Sequence, residues 1–295
     1  MKIFHSDLTT EVVLKYKELQ PNKPLNGLIS YGRLGYDHYN LMICYRYLLK
    51  GLIMDSGTYT LFQDPKKHCE TITFKGYMSH LKLFADKVDF YFNFDEDFSA
   101  EGFEKNFGYQ LDLESEGYRP IPVIHDCYGP EIQCYIDRGH KLVAIGSGEL
   151  AFASQDELYR IVSNLYEKGV RVHFLGCTKY EKLAYIPVYS ADSTTWNRAS
   201  TSGRINYWNP VRIEDNKKDE IVLDKVPKRL TKFHIRDYPF RRQFEEYLWT
   251  ELRLTLDDLL VGEKRLLYRT LVNIHYFVLL EELINQKHKQ QGFSF

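Results

Sequence analysis

KLVAIGSGELAFASQDELYRIVSNLYEKGVRVHFLG, residues 141–176, holds two short apolar runs on either side of a helical stretch. Runs 141–145 and 171–175 are too short for helices and rich in β-branched and aromatic residues, so they predict strands. Between them Leu158, Ile161, Val162, Leu165 and Tyr166 recur at spacings of three and four, which places them on one helix face. Ser154 followed by Glu157 predicts a capping box at the start of that helix, and Gly169 predicts its end. Strand, helix and strand in succession make a βαβ unit, and such a unit builds a parallel sheet.

The same alternation runs along most of the chain. Apolar, β-rich runs at 2–5, 27–31, 51–54, 88–94, 120–125 and 186–190 join the two above, and helical spacing recurs at 11–19, 38–49 and 74–87. Eight strands alternating with helices predict an α/β fold of the (β/α)8 TIM-barrel type with a C-terminal helical extension; a doubly wound open sheet is the alternative. Residues 1–205 are expected to form the barrel catalytic core. Residues 206–295 are expected to form a basic linker and C-terminal helices that pack on the barrel. Within that region 206–218 is polar and turn-rich, 244–260 and 264–291 have helical spacing, and 290–295 is expected to fray.

Composition narrows the function classes. Hydrophobic residues at 44% and charged residues at 27% support a large buried core. A formal charge of −1 excludes a uniformly basic nucleic-acid coat, so any grip on a polyanion has to be local. One such patch is present between 225 and 242, where Lys225, Lys228, Arg229, Lys232, Arg236, Arg241 and Arg242 face a single acidic residue, Asp237. Lys264, Arg265 and Arg269 extend it or simply face solvent. The five cysteines form no CxxC pair, which speaks against a disulfide framework or a cysteine zinc site. No signal peptide or membrane-spanning run is visible, so a soluble cytoplasmic protein with no membrane partner is expected.

In a barrel the residues that follow the strands converge on one mouth. Those positions hold Asp55, Asp95, His125 with Asp126, the segment Gly146, Ser147, Gly148 and Glu149, then Gly176 with Cys177, and finally Asp192. Any one of these aspartates can be explained as a turn starter; together at one mouth they point to chemistry. A divalent-metal site using His125 and His5 is one option, although no HxH or HxxxH pair supports it. The other is a pair of carboxylates, Asp55 and Asp192, flanking a glycosidic bond.

These motifs resemble those of the tRNA-guanine transglycosylases. MDSGTY at Asp55, Ser56, Gly57 and Tyr59 is similar to that family's Asp-Ser-Gly-Gly-Phe/Tyr, and FDED resembles the segment whose aspartate, here Asp95, recognises the base. PVIHDC lies where the family has a base-reading glutamine, and His125 takes that position. AIGSGELA looks like the Gly-rich base-facing loop, HFLGC like the strand that ends at Gly176, and DSTTWNR like the nucleophile motif, with Arg198 at the motif's arginine offset.

The resemblance spans about residues 51–198 and implies a barrel with Asp192 as nucleophile, Asp55 as acid/base and no cofactor. It also implies base binding by Asp95, Tyr59, His125, Gly146, Ser147, Gly148 and Glu149, with Ser56, Gly57, Gly176 and Arg198 in support. The tRNA enzymes carry a Cys-x-Cys-x-x-Cys plus His zinc site after the nucleophile, whereas no cysteine follows Arg198 here. The chain therefore looks more like the zinc-free phage DNA-guanine transglycosylases, which insert 7-deazaguanine derivatives that protect DNA from restriction. The implied partners are DNA, with tRNA as the alternative, and a 7-deazapurine base; a homodimer is left open. A glycosylase that lets water resolve the intermediate and a non-catalytic nucleic-acid binder are the competing functions.

Overall fold

The computed structural model describes residues 1–99, 101–213, 217–224 and 233–295. Eight strands, β1 (Lys2–Ser6), β2 (Asn26–Ser30), β3 (Gly51–Asp55), β4 (Phe90–Tyr91), β5 (Val123–Ile124), β6 (Leu142–Ile145), β7 (Arg171–Phe174) and β8 (Ser190–Ser193), form one sheet. Its order is β4-β3-β2-β1-β8-β7-β6-β5, with every pairing parallel. The ends of that order meet at a parallel bridge between Phe92 and Ile121. There the Ile121 amide donates to the Tyr91 carbonyl at 2.8 Å and the Asn93 amide donates to the Ile121 carbonyl at 2.9 Å. The sheet thus curls on itself as a (β/α)8 barrel, not as an open doubly wound sheet.

The interior follows from the period-two alternation of strand side chains. Phe4, Leu28, Ile53, Phe92, Ile121, Val123 and Ala144 form one buried cluster contributed by successive strands. The positions two residues further along (Ser6, Ser30, Asp55, His125 and Gly146) share its inward direction and rise one layer nearer the mouth.

The chain divides into two compact units. The first, Met1–Thr10, Leu25–Ser193 and Ile284–Phe295, contains all eight barrel strands. The second comprises Glu11–Pro24 and Thr194–Leu283. It contains β9 (Arg204–Trp208), β10 (Lys218–Val222) and β11 (Phe233–His234), with β10 antiparallel to β9 and parallel to β11. Around that sheet Ile205, Tyr207, Ile221, Phe244, Leu248, Leu252 and Leu259 build a core of their own.

Several expectations need correction. The eighth strand starts at Ser190, not 186, because Pro187 has no N–H to give a ladder, so Asp192 lies within β8 and not after it. Strands four and five shrink to two residues each for a related reason: Pro120 and Pro122 interrupt the donors of β5. The turn-rich stretch at 206–218 overlaps the antiparallel pair β9–β10. The helix expected over 244–260 is two, Arg241–Leu252 and Leu256–Leu260, parted by Arg253 at φ +54°. The C-terminal residues do not fray: Phe293 and Phe295 place their rings 5.8 and 5.6 Å from that of Tyr166, and the Ser294 amide donates to the Tyr166 hydroxyl at 3.0 Å. Arg269 is not part of a solvent-facing patch, since it is buried and forms a two-pronged pair with Asp224 at 2.7 Å.

Candidate active site

At the carboxyl ends of the strands the barrel unit gathers three aspartates. Asp55 closes β3 opposite Ser30, the last residue of β2. Its Oδ2 accepts from the Ser30 hydroxyl at 3.0 Å and from the Gly57 amide at 3.0 Å. Gly57 has φ +82°, and a Cβ there would lie 2.3 Å from the Gly32 nitrogen, so only glycine permits the turn that aims this amide. Burial raises the Asp55 pKa most, and the charges of Asp95 and Asp192 add to it. The hydrogen bonds from Ser30 and Gly57 offset this only in part, leaving a value of about 7. Both other carboxylates are therefore near enough for their charges to act on Asp55.

Asp95 is almost fully buried. Its Oδ1 accepts from the Ser56 hydroxyl at 3.1 Å and the Thr58 hydroxyl at 2.9 Å, and its Oδ2 meets His125 Nε2 at 3.0 Å. Burial by itself lowers the His125 pKa; the hydrogen bond and charge of Asp95, with Glu131 and Asp97, outweigh it and the net direction is upward. Glu131, also buried, anchors this loop by accepting from the His125 amide at 2.8 Å and the Asp126 amide at 3.2 Å. Across the ring, a Cβ on Gly146 would approach His125 Nδ1 to 3.1 Å, so glycine leaves that edge of the imidazole uncovered.

Asp192 sits on β8 in register with Phe4 of β1. Its Oδ2 accepts from the Ser6 hydroxyl at 2.8 Å, while its Oδ1 accepts from the Gly176 amide at 2.8 Å and lies 3.2 Å from His173 Nε2. Gly176 adopts φ +66°, the left-handed turn that swings this amide towards β8.

The structure thus brings together Asp55, Ser56, Gly57, Asp95, His125, Gly146, Gly176 and Asp192. Tyr59 is half-exposed and packs edge-on to Phe98 at 6.5 Å, and Phe98 in turn meets the His125 ring edge-on at 5.0 Å. Ser147, Gly148 and Glu149 form the first turn of the short helix Ser147–Phe152, with Ser147 and Gly148 exposed and Glu149 bonded to the Cys127 thiol. His5 turns its Nδ1 to the Asn26 carbonyl at 3.1 Å. Among the described residues no group of three His, Cys, Asp or Glu side chains could hold a metal ion.

Arg198, Arg236, Arg241 and Arg242 belong to the second unit, and all four are exposed. Lys225, Lys228, Arg229 and Lys232 lie outside the described residues. Sequence reasoning missed Ser6, Ser30, Thr58, Phe98, Glu131 and His173. Ser6 and Ser30 were findable, because each stands two residues beyond an inward apolar residue of its strand; Glu131, which opens the helix Glu131–Asp137, and Phe98, on a loop, carry no such signal.

No protein-family model matches this chain, and comparison with curated proteins finds no match either. No helix among the described residues is long and apolar enough to cross a membrane.

Proposed function

We propose that the protein is a base-exchange transglycosylase that replaces guanine in DNA with a 7-deazaguanine derivative through a covalent aspartyl–sugar intermediate. The observation that carries this is the contrast between two carboxylates at one barrel mouth. Asp55 is poised to hold a proton up to about pH 7, and Asp192 is fixed by three donors on two oxygens. That contrast suits one proton-managing acid and one nucleophile.

In the first step an Asp192 oxygen bonds to C1′ as the C1′–N9 bond breaks, and the electron pair leaves with guanine, which takes the Asp55 proton. In the second, the incoming base gives its N9 proton to the Asp55 carboxylate, its nitrogen bonds to C1′, and the pair of the ester bond returns to Asp192. Three of the four lone-pair positions of Asp95 are taken by Ser56, Thr58 and His125. Asp95 therefore has one acceptor position for the base; the uncovered Nδ1 of His125 adds a donor for a keto oxygen when the ring is protonated, a form that its contact with Asp95 favours. Tyr59, partly free, is available to stack on the base, a contact worth roughly 1–3 kcal/mol. DNA is favoured over tRNA by the absence of any cysteine after Cys177 for a zinc subdomain. The target nucleotide reaches the mouth unpaired or flipped out of a duplex.

The test is release of labelled guanine from DNA and, in parallel, from tRNA, in the presence of an unlabelled 7-deazaguanine. Wild type should release label from DNA and Asp192→Asn should not; release from neither polymer, or undiminished release by Asp192→Asn, would overturn the proposal.

A further inference from the structure

His173 is buried in the barrel beneath the nucleophile. Its ring lies 6.2 Å from Phe4 and 5.0 Å from Phe92, centroid to centroid, so packing holds it away from water. On β8, Ser190 stands opposite His173 in the strand register, and its hydroxyl is 2.8 Å from Nδ1. The other nitrogen, Nε2, is 3.2 Å from Asp192 Oδ1. Two bare acceptors at that separation would repel, so Nε2 carries the hydrogen.

We infer that His173 is the positioning residue of the nucleophile: its Nε2–H, with the Gly176 amide, holds Asp192 Oδ1 and leaves Oδ2 as the atom that bonds to C1′. This rests on the transglycosylase proposal. Oδ1 receives two N–H donors that backbone and packing fix in place, whereas Oδ2 receives one hydroxyl, Ser6, which can rotate away. As the Oδ2–C1′ bond forms and the glycosidic pair leaves with guanine, Oδ1 becomes the ester carbonyl oxygen and keeps both donors. When the second base displaces Oδ2, the same donors receive the restored carboxylate. The carboxylate plane does not turn between the steps, so one geometry serves both.

Two measurements test this. Long-range proton–nitrogen spectra of the 15N-histidine-labelled protein should show hydrogen on His173 Nε2; hydrogen on Nδ1 alone overturns the inference, whatever the protein catalyses. Rates are then compared on a single-stranded oligodeoxynucleotide carrying labelled guanine, with 7-deazaguanine as incoming base. His173→Leu should lower kcat roughly 100-fold with KM for the oligonucleotide unchanged, the size expected of a misaimed reactant. His173→Gln, which restores an N–H donor, should recover at least about tenfold of that loss. Equal losses in both variants, or a change confined to KM, overturn the inference. Should His173→Leu fail to fold, Ser190→Ala takes its place and should lower kcat through a mixed tautomer visible in the same spectra. If wild type releases no guanine at all, the exchange proposal falls while the spectra still decide the role of His173.

Discussion

Asp55 shows how the environment of one residue ties stability to chemistry. Its carboxyl has an ordinary value near 3.8 and is raised to about 7 by burial and by the neighbouring aspartates. The folded chain therefore binds this proton more tightly than the unfolded chain does. The resulting stabilisation is complete below about pH 4 and is lost as pH rises from there to about 7, amounting to about 2–4 kcal/mol for a group that is only partly enclosed. Asp55→Asn removes the penalty. Its melting temperature should match wild type near pH 3.5, exceed it increasingly up to pH 7 and keep a constant lead above that. The same substitution should abolish guanine release, since an amide cannot deliver the proton. Calorimetry of both proteins across pH 3.5–8 checks the first claim; a lead that is equal at all pH values would show that Asp55 does not titrate in this window. Wild-type release of guanine should also decline above about pH 7, as the acid form of Asp55 disappears.

Strands and helices were legible wherever one face repeats. The 155–168 pattern matches the helix Gln155–Glu167 and its capping box, because five apolar residues on one stripe leave no second way to bury them. Asp55 and Asp192 could be placed at the mouth since each comes just after an apolar, β-rich run, 51–54 and 186–190. Asp95 could be placed there too, directly after the run 88–94, although β4 itself ends at Tyr91; its role in reading the base came from the resemblance alone. The small sheet β9–β10–β11 escaped notice because its alternation is interrupted by charged residues. What ties this sheet to the last helix, Arg265–Gln290, is Asn273. It is fully buried, its Oδ1 accepts from the Asn206 amide at 2.7 Å, and its Nδ2 is within 3.1 Å of the Ser200 hydroxyl and the Arg204 and Arg269 carbonyls. Asn273→Leu fills similar space yet strands the Asn206 amide and the Arg204 carbonyl of β9. It should cost about 2–4 kcal/mol in urea unfolding monitored within the second unit. A loss under about 0.5 kcal/mol, the range of an ordinary surface change, would show that the network is dispensable.

For the barrel as a whole, closure is uneven. β1, β2 and β3 pair over several residues with continuous ladders, and β1 joins β8 through four register pairs. The seam between β4 and β5 rests on the single bridge of Phe92 with Ile121. The prolines that flank Ile121 cannot donate, so few further hydrogen bonds can form there, and the side chains of Phe92, Ile121 and Val123 must supply the cohesion. Asp95 and His125 hang from the two sides of this seam, and their 3.0 Å contact bridges it at the mouth. A base that engages both residues would therefore brace the weakest join in the barrel. Native-state hydrogen exchange should find the Ile121 and Asn93 amides opening well before those of Ile29 and Ile53, by at least about tenfold in rate, as expected of a sub-global opening. Adding 7-deazaguanine should slow exchange at Ile121 and Asn93 more than at Ile29. Uniform protection around all eight strands, or a ligand effect confined to other strands, would place the flexible join and the base elsewhere.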